Sequence, residues 1–158
     1  MRRVANVWPL TGLGMALALV AAVALFSFGF EKLDLVLLVV GYGGAGLLAI
    51  ATLTVASTAF GLWLRLRRAS FDWSTSTFET NTPMPTGFSL SSLWWIPLAQ
   101  VRWVWVSPPD AVTERVSTRG RLNETVTLGR RGIFQAVTRR VTVQDAFGLS
   151  RIAFEHHQ

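Results

Sequence analysis

No cysteine occurs anywhere in these 158 residues. A disulfide framework, a thiolate nucleophile and a cysteine zinc site are therefore excluded. Histidine is almost as scarce, with two adjacent residues at the end of the chain, His156 and His157. Neighbours on a strand point to opposite faces, so this pair is not expected to share a metal ion and reads as solvated tail. A Ser-His-Asp triad has equally little to draw on. Charge is sparse too: 15% of residues are charged and 51% hydrophobic, with a mean hydropathy of +0.40. Such a chain is too apolar to be disordered and unusual for a soluble domain.

The charge that is present has a place. Net charge is +6, and Arg2, Arg3, Arg65, Arg67 and Arg68 supply most of the excess. Residues 69–158 hold nine arginines against seven acids. The basic groups thus flank two uncharged stretches, which is the positive-inside pattern of a membrane protein rather than the basic stripe of a nucleic-acid binder. Nucleic acid is not an expected partner; a lipid bilayer is.

From Leu10 to Phe30 there are 21 residues without charge, and from Leu35 to Leu64 there are 30 more. As a helix the first is about 31 Å long, close to the hydrocarbon thickness. The second is longer than needed and must tilt or leave the membrane at its ends. Only Glu31-Lys32-Leu33-Asp34 separates them, which predicts an antiparallel two-helix transmembrane hairpin over residues 1–68. Both Arg-rich ends then lie on one side, placing both termini in the cytoplasm of a bacterial inner membrane. Trp8 and Trp63 fall at that same boundary as interfacial anchors.

Small residues suggest a packing seam. Gly14, Ala18 and Ala22 recur every fourth residue in the first span, and Gly41, Ala45 and Ala49 do so in the second. In an antiparallel hairpin these sit at matched depth, where small side chains let backbones approach closely.

Two patterns are decoys. Met1-Arg2-Arg3, an apolar run and Ala22-Val23-Ala24 resemble a cleavable signal, but the run continues to Phe30. Gly41-Tyr42-Gly43-Gly44-Ala45-Gly46 fits a dinucleotide fingerprint after a strand-like run. That fingerprint needs a ribose-binding acid about 20 residues later, whereas the first acid after Asp34 is Asp72. No cofactor is expected.

Beyond Arg68 the texture changes to β-branched and aromatic residues with period-two alternation. Phe71 to Thr77, Val101 to Val106, Val112 to Thr118, Arg121 to Leu128, Ile133 to Asp145 and Arg151 to His156 read as strands. Pro108-Pro109-Asp110, Arg119-Gly120, Gly129-Arg130-Arg131-Gly132 and Phe147-Gly148 punctuate them. About six strands at this spacing predict a small antiparallel, immunoglobulin-like sandwich over residues 69–158, facing the cytoplasm. The uncharged stretch from Thr82 to Gln100 holds three prolines and is too broken to span a bilayer. Its aromatics, Phe88, Trp94 and Trp95 above all, are candidates for a membrane surface or a partner; filling the sandwich core is the alternative.

Catalytic chemistry finds no support. The acids Asp72, Glu79, Asp110, Glu114, Glu124, Asp145 and Glu155 form no spaced pair on a recognisable scaffold. No metal site is expected, and no nucleophile elbow. Arg130, Arg131, Arg139 and Arg140 are candidates to hold an anionic lipid or a cell-wall precursor, against the plainer reading of a solvated hairpin.

The run Gly129-Arg130-Arg131-Gly132-Ile133-Phe134, followed by Val141-Thr142-Val143-Gln144-Asp145-Ala146-Phe147-Gly148-Leu149-Ser150-Arg151, resembles the signature of a bacterial family known as domain of unknown function fifty-eight. That resemblance implies a two-helix anchor before a β-domain, working beside a MoxR-type AAA+ ATPase. It singles out Arg131, Gly132, Asp145, Phe147, Gly148, Leu149 and Arg151. Physically, Arg131-Gly132 would supply a tight hairpin turn, and Val141 and Val143 would face the core. Asp145 would cap the turn, Gly148 would reverse the chain and Phe147 would pack inward. Ala146 stands where the family has proline. The family's further domain, similar to a von Willebrand A fold, has no counterpart after Arg151, so a missing C-terminal half is a second candidate partner. The expected function is a non-enzymatic, membrane-anchored interaction or assembly module.

Overall fold

The computed structural model describes residues 8–30, 34–68, 79–91, 98–118, 121–132 and 136–157. Two antiparallel helices lead into two antiparallel sheets. Helix α1 (Gly12–Val23) passes directly into a π-helical segment, Ala24–Phe30, and α2 runs over Leu35–Arg68. Thr11 caps α1, its hydroxyl accepting from the Gly14 amide. Asp34 caps α2: one carboxylate oxygen takes the Val36 and Leu37 amides at 2.9 and 3.3 Å, and its charge suits the positive helix end.

Among the described residues, of the two expected spans only the second is a helix long and apolar enough on its own to cross a membrane, over Leu35–Arg67. The first helix begins at Gly12 rather than Leu10, because Pro9, Leu10 and Thr11 are drawn into the β-domain instead. Most outward-facing positions from Gly12 to Leu53 are apolar, among them Leu13, Leu19, Phe26, Val36, Val39 and Ile50. Only 11% of the most apolar window of α2 is buried within the chain. Hydroxyls on α2 turn back to their own helix, Thr52 to the Leu48 carbonyl and Thr54 to that of Ile50, both at 2.7 Å. This satisfies them without water.

The helix seam differs from the expected one. Its residues are Leu17, Ala18, Ala21 and Leu25 on the first helix against Gly41, Gly44, Leu48 and Ala51 on the second. A Cβ on Gly41 would lie 2.5 Å from Leu25 Cγ, and one on Gly44 3.4 Å from Ala21 Cβ. Ala22, Ala45 and Ala49 face outward, and Gly14 meets a β-turn rather than α2. The depth matching is as expected, but a strict four-residue step rotates about 40° per repeat. A straight contact line must alternate steps of three and four, which is the spacing from Gly41 through Gly44 and Leu48 to Ala51.

Strands β1 (Met84–Ser91), β4 (Arg121–Leu128) and β3 (Ala111–Thr118) form one sheet in that spatial order. Strands β2 (Ala99–Ser107), β5 (Thr138–Asp145) and β6 (Arg151–His157) form the other. All four pairings are antiparallel. Strand β1 lies inside the stretch expected to be irregular. Its Pro85 sits on an edge strand and Gly87, at φ 77°, lies where the pairing with β4 shifts register. Those two residues obscure the alternation while marking an edge and a bulge. The strand expected over Phe71 to Thr77 lies outside the described residues.

The two sheets do not make the core alone. From Val55 onward α2 joins it: Val55, Ala59, Leu62 and Leu66 are buried with Phe88 and Leu90 of β1, Trp103 of β2, and Val141 and Val143 of β5. The boundary expected after Arg68 therefore falls at the end of a helix whose last turns already belong to the β-domain.

Candidate functional site: a buried ionic centre and a helix-docking turn

Two buried polar stations organise the molecule. The first joins the sheets. On β4, Leu122, Glu124, Val126 and Leu128 share one face, so the sandwich buries a carboxylate among apolar side chains. On β5 the same alternation buries Arg139 beside Val141 and Val143. These opposite charges meet: Arg139 Nη2 lies 2.8 Å from Glu124 Oε2, and its Nε donates to both carboxylate oxygens at 3.0 and 3.2 Å. Trp103 and Trp105 on β2 donate their indole N–H groups to Glu124 Oε1 at 3.1 and 2.8 Å, and the Thr86 hydroxyl of β1 donates to Oε2. The guanidinium lies 4.4 Å from the centre of the Phe88 ring and 5.3 Å from that of Trp105. Both charges are thus compensated by charge-assisted bonds and ring faces, the condition for burying an ion pair without a large net loss.

This arrangement corrects several expectations. Phe88 is a core residue, edge-on to Trp103 at 5.7 Å, and not an exposed contact. Trp94 and Trp95 lie outside the described residues. Arg139 and Arg140 point to opposite faces of β5, where Arg140 pairs with Glu155 at 2.9 Å. Arg130 pairs with Asp110 at 2.6 Å in the exposed connection that also holds Arg131. The four arginines do not make one anion-binding surface. Strands β4 and β5 belong to different sheets, so Arg131 and Gly132 between them belong to a crossover rather than a tight hairpin turn. His156 is buried opposite Arg139 on β6 and is no solvated tail, whereas His157 is exposed beside the Thr138 hydroxyl at 2.9 Å. Their opposite facing is as expected. Among the described residues no group of three or more His, Asp or Glu side chains is placed to hold a metal ion.

The second station joins the sheet to the helices, and it is the turn between β5 and β6. Asp145 accepts from the Phe147 amide at 2.9 Å and from the Ser150 amide, and its own amide donates to the Ser150 carbonyl. Gly148 reverses the chain at φ 73°. Asp145 and Gly148 therefore act as the sequence suggested. Phe147 does not: it is 55% exposed. The inward residue is Leu149, buried among Leu10, Leu17, Ala18, Leu48 and Ala51, wedged where the two helices meet. Asp145 holds the Phe147 and Ser150 amides, and the reversal at Gly148 leaves Phe147 outside and turns Leu149 into the groove.

Around that wedge the chain before α1 adds to the turn as a short strand. The Thr11 amide donates to the Leu149 carbonyl at 3.0 Å and the Arg151 amide to the Pro9 carbonyl at 2.8 Å, with Leu10 opposite Ser150. The Thr11 hydroxyl donates to the Gly148 carbonyl at 2.6 Å, and the Ser150 hydroxyl to the Pro9 carbonyl at 2.8 Å. Gly14 allows this approach, since a Cβ there would run into the Leu149 carbonyl. One threonine thus caps the helix and latches it to a residue 137 positions away.

No family model, curated protein or solved structure matches this chain.

Proposed function

We propose that this chain is a non-enzymatic, membrane-anchored β-domain that serves as an interaction or assembly module. The observation that carries the reading is the union of an apolar-surfaced helical hairpin with a β-domain through backbone hydrogen bonds and a shared core. From Gly12 to Phe30 and from Leu35 to Ala51 each arm is roughly 25–28 Å long at about 1.5 Å per residue, close to the hydrocarbon thickness. Those two lengths end level with the Leu149 wedge, which supports a two-pass hairpin below the β-domain. The arginines near both helix ends support cytoplasmic termini in a bacterial inner membrane. The ionic centre consumes its own donors and acceptors between the sheets, which supports a structural role for the most chemically loaded residues. Strand number and spacing are the grounds for reading the sandwich as immunoglobulin-like.

The partner enters by resemblance. Asp145, Gly148, Leu149 and Arg151 form the turn that binds helix to sheet, so four of the seven residues resembling the family signature are among those that fix the anchor's geometry. On that ground a MoxR-type AAA+ ATPase is the proposed protein partner. The test is a fluorescent-protein fusion after Gln158 compared with a periplasm-dependent phosphatase fusion, and co-purification with a MoxR-type ATPase from the same cell. Fluorescence with phosphatase silence is expected; the reverse pattern overturns the topology. Failure of the ATPase to co-purify overturns the partner while leaving the anchor.

A further inference from the structure

The turn that docks the helices has an outward half, and we infer that it is a seat for the bilayer surface formed by Trp8, Phe147 and Arg151. The inference rests on the membrane-anchored reading and deepens it by naming the surface. Each residue flanks the bonded junction directly. Trp8 precedes Pro9, whose carbonyl accepts from the Arg151 amide; Phe147 precedes Gly148, whose carbonyl accepts from the Thr11 hydroxyl. Trp8 is 61% exposed, Phe147 is 55% exposed, and Arg151 is exposed as well. All three are therefore pinned at the N-terminal end of α1, level with Leu48 and Ala51 of α2 through the Leu149 wedge.

Below that level most outward side chains of both helices are apolar; above it lie the strands. Phe147 is a large aromatic left more exposed than covered, in a turn closed by Asp145 and Ser150. Its position continues the apolar surface of the hairpin to its rim. Tryptophan and phenylalanine at a rim suit the boundary between acyl chains and headgroups, and an adjacent guanidinium suits lipid phosphate. The occupant is the lipid interface. The anchoring turn thus has a double use: Asp145, Leu149 and Ser150 hold the helices, while Phe147 and Arg151 fix the height and tilt of the β-domain on the membrane.

The absence of native cysteine makes the test direct. Single variants Phe147→Cys, Trp8→Cys, Ile50→Cys and Arg130→Cys of the full chain are labelled with an environment-sensitive fluorophore in nanodiscs of phosphatidylcholine and phosphatidylglycerol. All four sites are exposed, so none opens the core. Relative to Arg130, position 147 is expected to show at least about twofold stronger quenching by shallow spin-labelled lipid and about twofold weaker quenching by iodide. Position 8 is expected to behave likewise, and Ile50, outward on α2 between Leu48 and Ala51, to be quenched by shallow spin labels as well. Adding Arg151→Gln is expected to reduce the shallow quenching at 147 in discs containing phosphatidylglycerol. If 147 and 8 match Arg130 while Ile50 is quenched by lipid, the seat is overturned and the anchor stands. Shielding of 147 from iodide without lipid quenching assigns the surface to a protein and also overturns it. If Ile50 escapes lipid quenching, the membrane reading fails and the seat falls with it.

Discussion

Glu124 and Asp145 are both buried carboxylates, at 1% and 2% exposure, and they are satisfied in different ways. Glu124 is held by side chains from three other strands: Thr86 of β1, Trp103 and Trp105 of β2, and Arg139 of β5. Asp145 is held by backbone amides of its own turn, Phe147 and Ser150. The difference teaches where specificity resides. A side-chain centre requires that particular residues meet across the sandwich, so it selects one sheet-on-sheet register. A backbone-held turn requires only that the chain bend, and it can then present carbonyls and an amide to whatever segment arrives, here Pro9 to Thr11.

That contrast can be broken most forcefully at Glu124. Replacing it with alanine strands the Arg139 guanidinium inside the core, and a loss of about 3–5 kcal/mol is expected in denaturant unfolding of the detergent-solubilised chain. The paired replacement Glu124→Leu with Arg139→Met is expected to recover most of that loss, since a well-packed apolar pair is often as stable as a buried ionic one. If the double variant is as unstable as the single one, packing rather than charge is at stake. At the helix junction, Gly14→Val drives a side chain into the Leu149 carbonyl, with an expected cost of about 1–3 kcal/mol. Hydrogen exchange should then show lost protection at the Thr11 and Arg151 amides while β5 stays protected.

Asp145→Ala sharpens the comparison further. Two amides lose a buried acceptor, at an expected cost of about 1–3 kcal/mol, and faster exchange should be confined to residues 145–151 and to Thr11. Spread of that effect to β4 would mean the two stations are coupled. The smallest effect belongs to the partly exposed Arg140–Glu155 pair, where Arg140→Ala is expected to change stability by no more than about 1 kcal/mol. A larger change there would overturn the assignment of stability to the buried stations.

The sequence made much of this legible, and its failures have physical reasons. The apolar runs exposed the hairpin because a charge-free stretch leaves few alternatives. Strand β4 was readable to its ends, and the buried alternation of Val141 and Val143 was visible as period two. The ionic centre has a sequence signal: Glu124 stands among Leu122, Val126 and Leu128 on one strand face, and Arg139 beside Val137, Val141 and Val143 on another, with opposite charge. Arg139 was grouped with its basic neighbours along the chain instead of with the face it shares. Strand β1 was hidden by Pro85 and Gly87, whose presence argues against a strand until an edge and a bulge explain them. Phe147 was expected inward because it is the larger apolar side chain, yet Leu149 fits the narrow groove between the helices and Phe147 does not point there.

Composition and periodicity alone determined that this chain has a charge-free helical hairpin followed by antiparallel strands, because hydrophobic pattern and length constrain both locally. Only the tertiary structure decided which small residues form the helix seam, that α2 completes the β core from Val55 onward, and that Thr11 latches to the turn after Asp145. These depend on rotation about a helix axis and on contacts between residues more than a hundred positions apart, which no local pattern encodes.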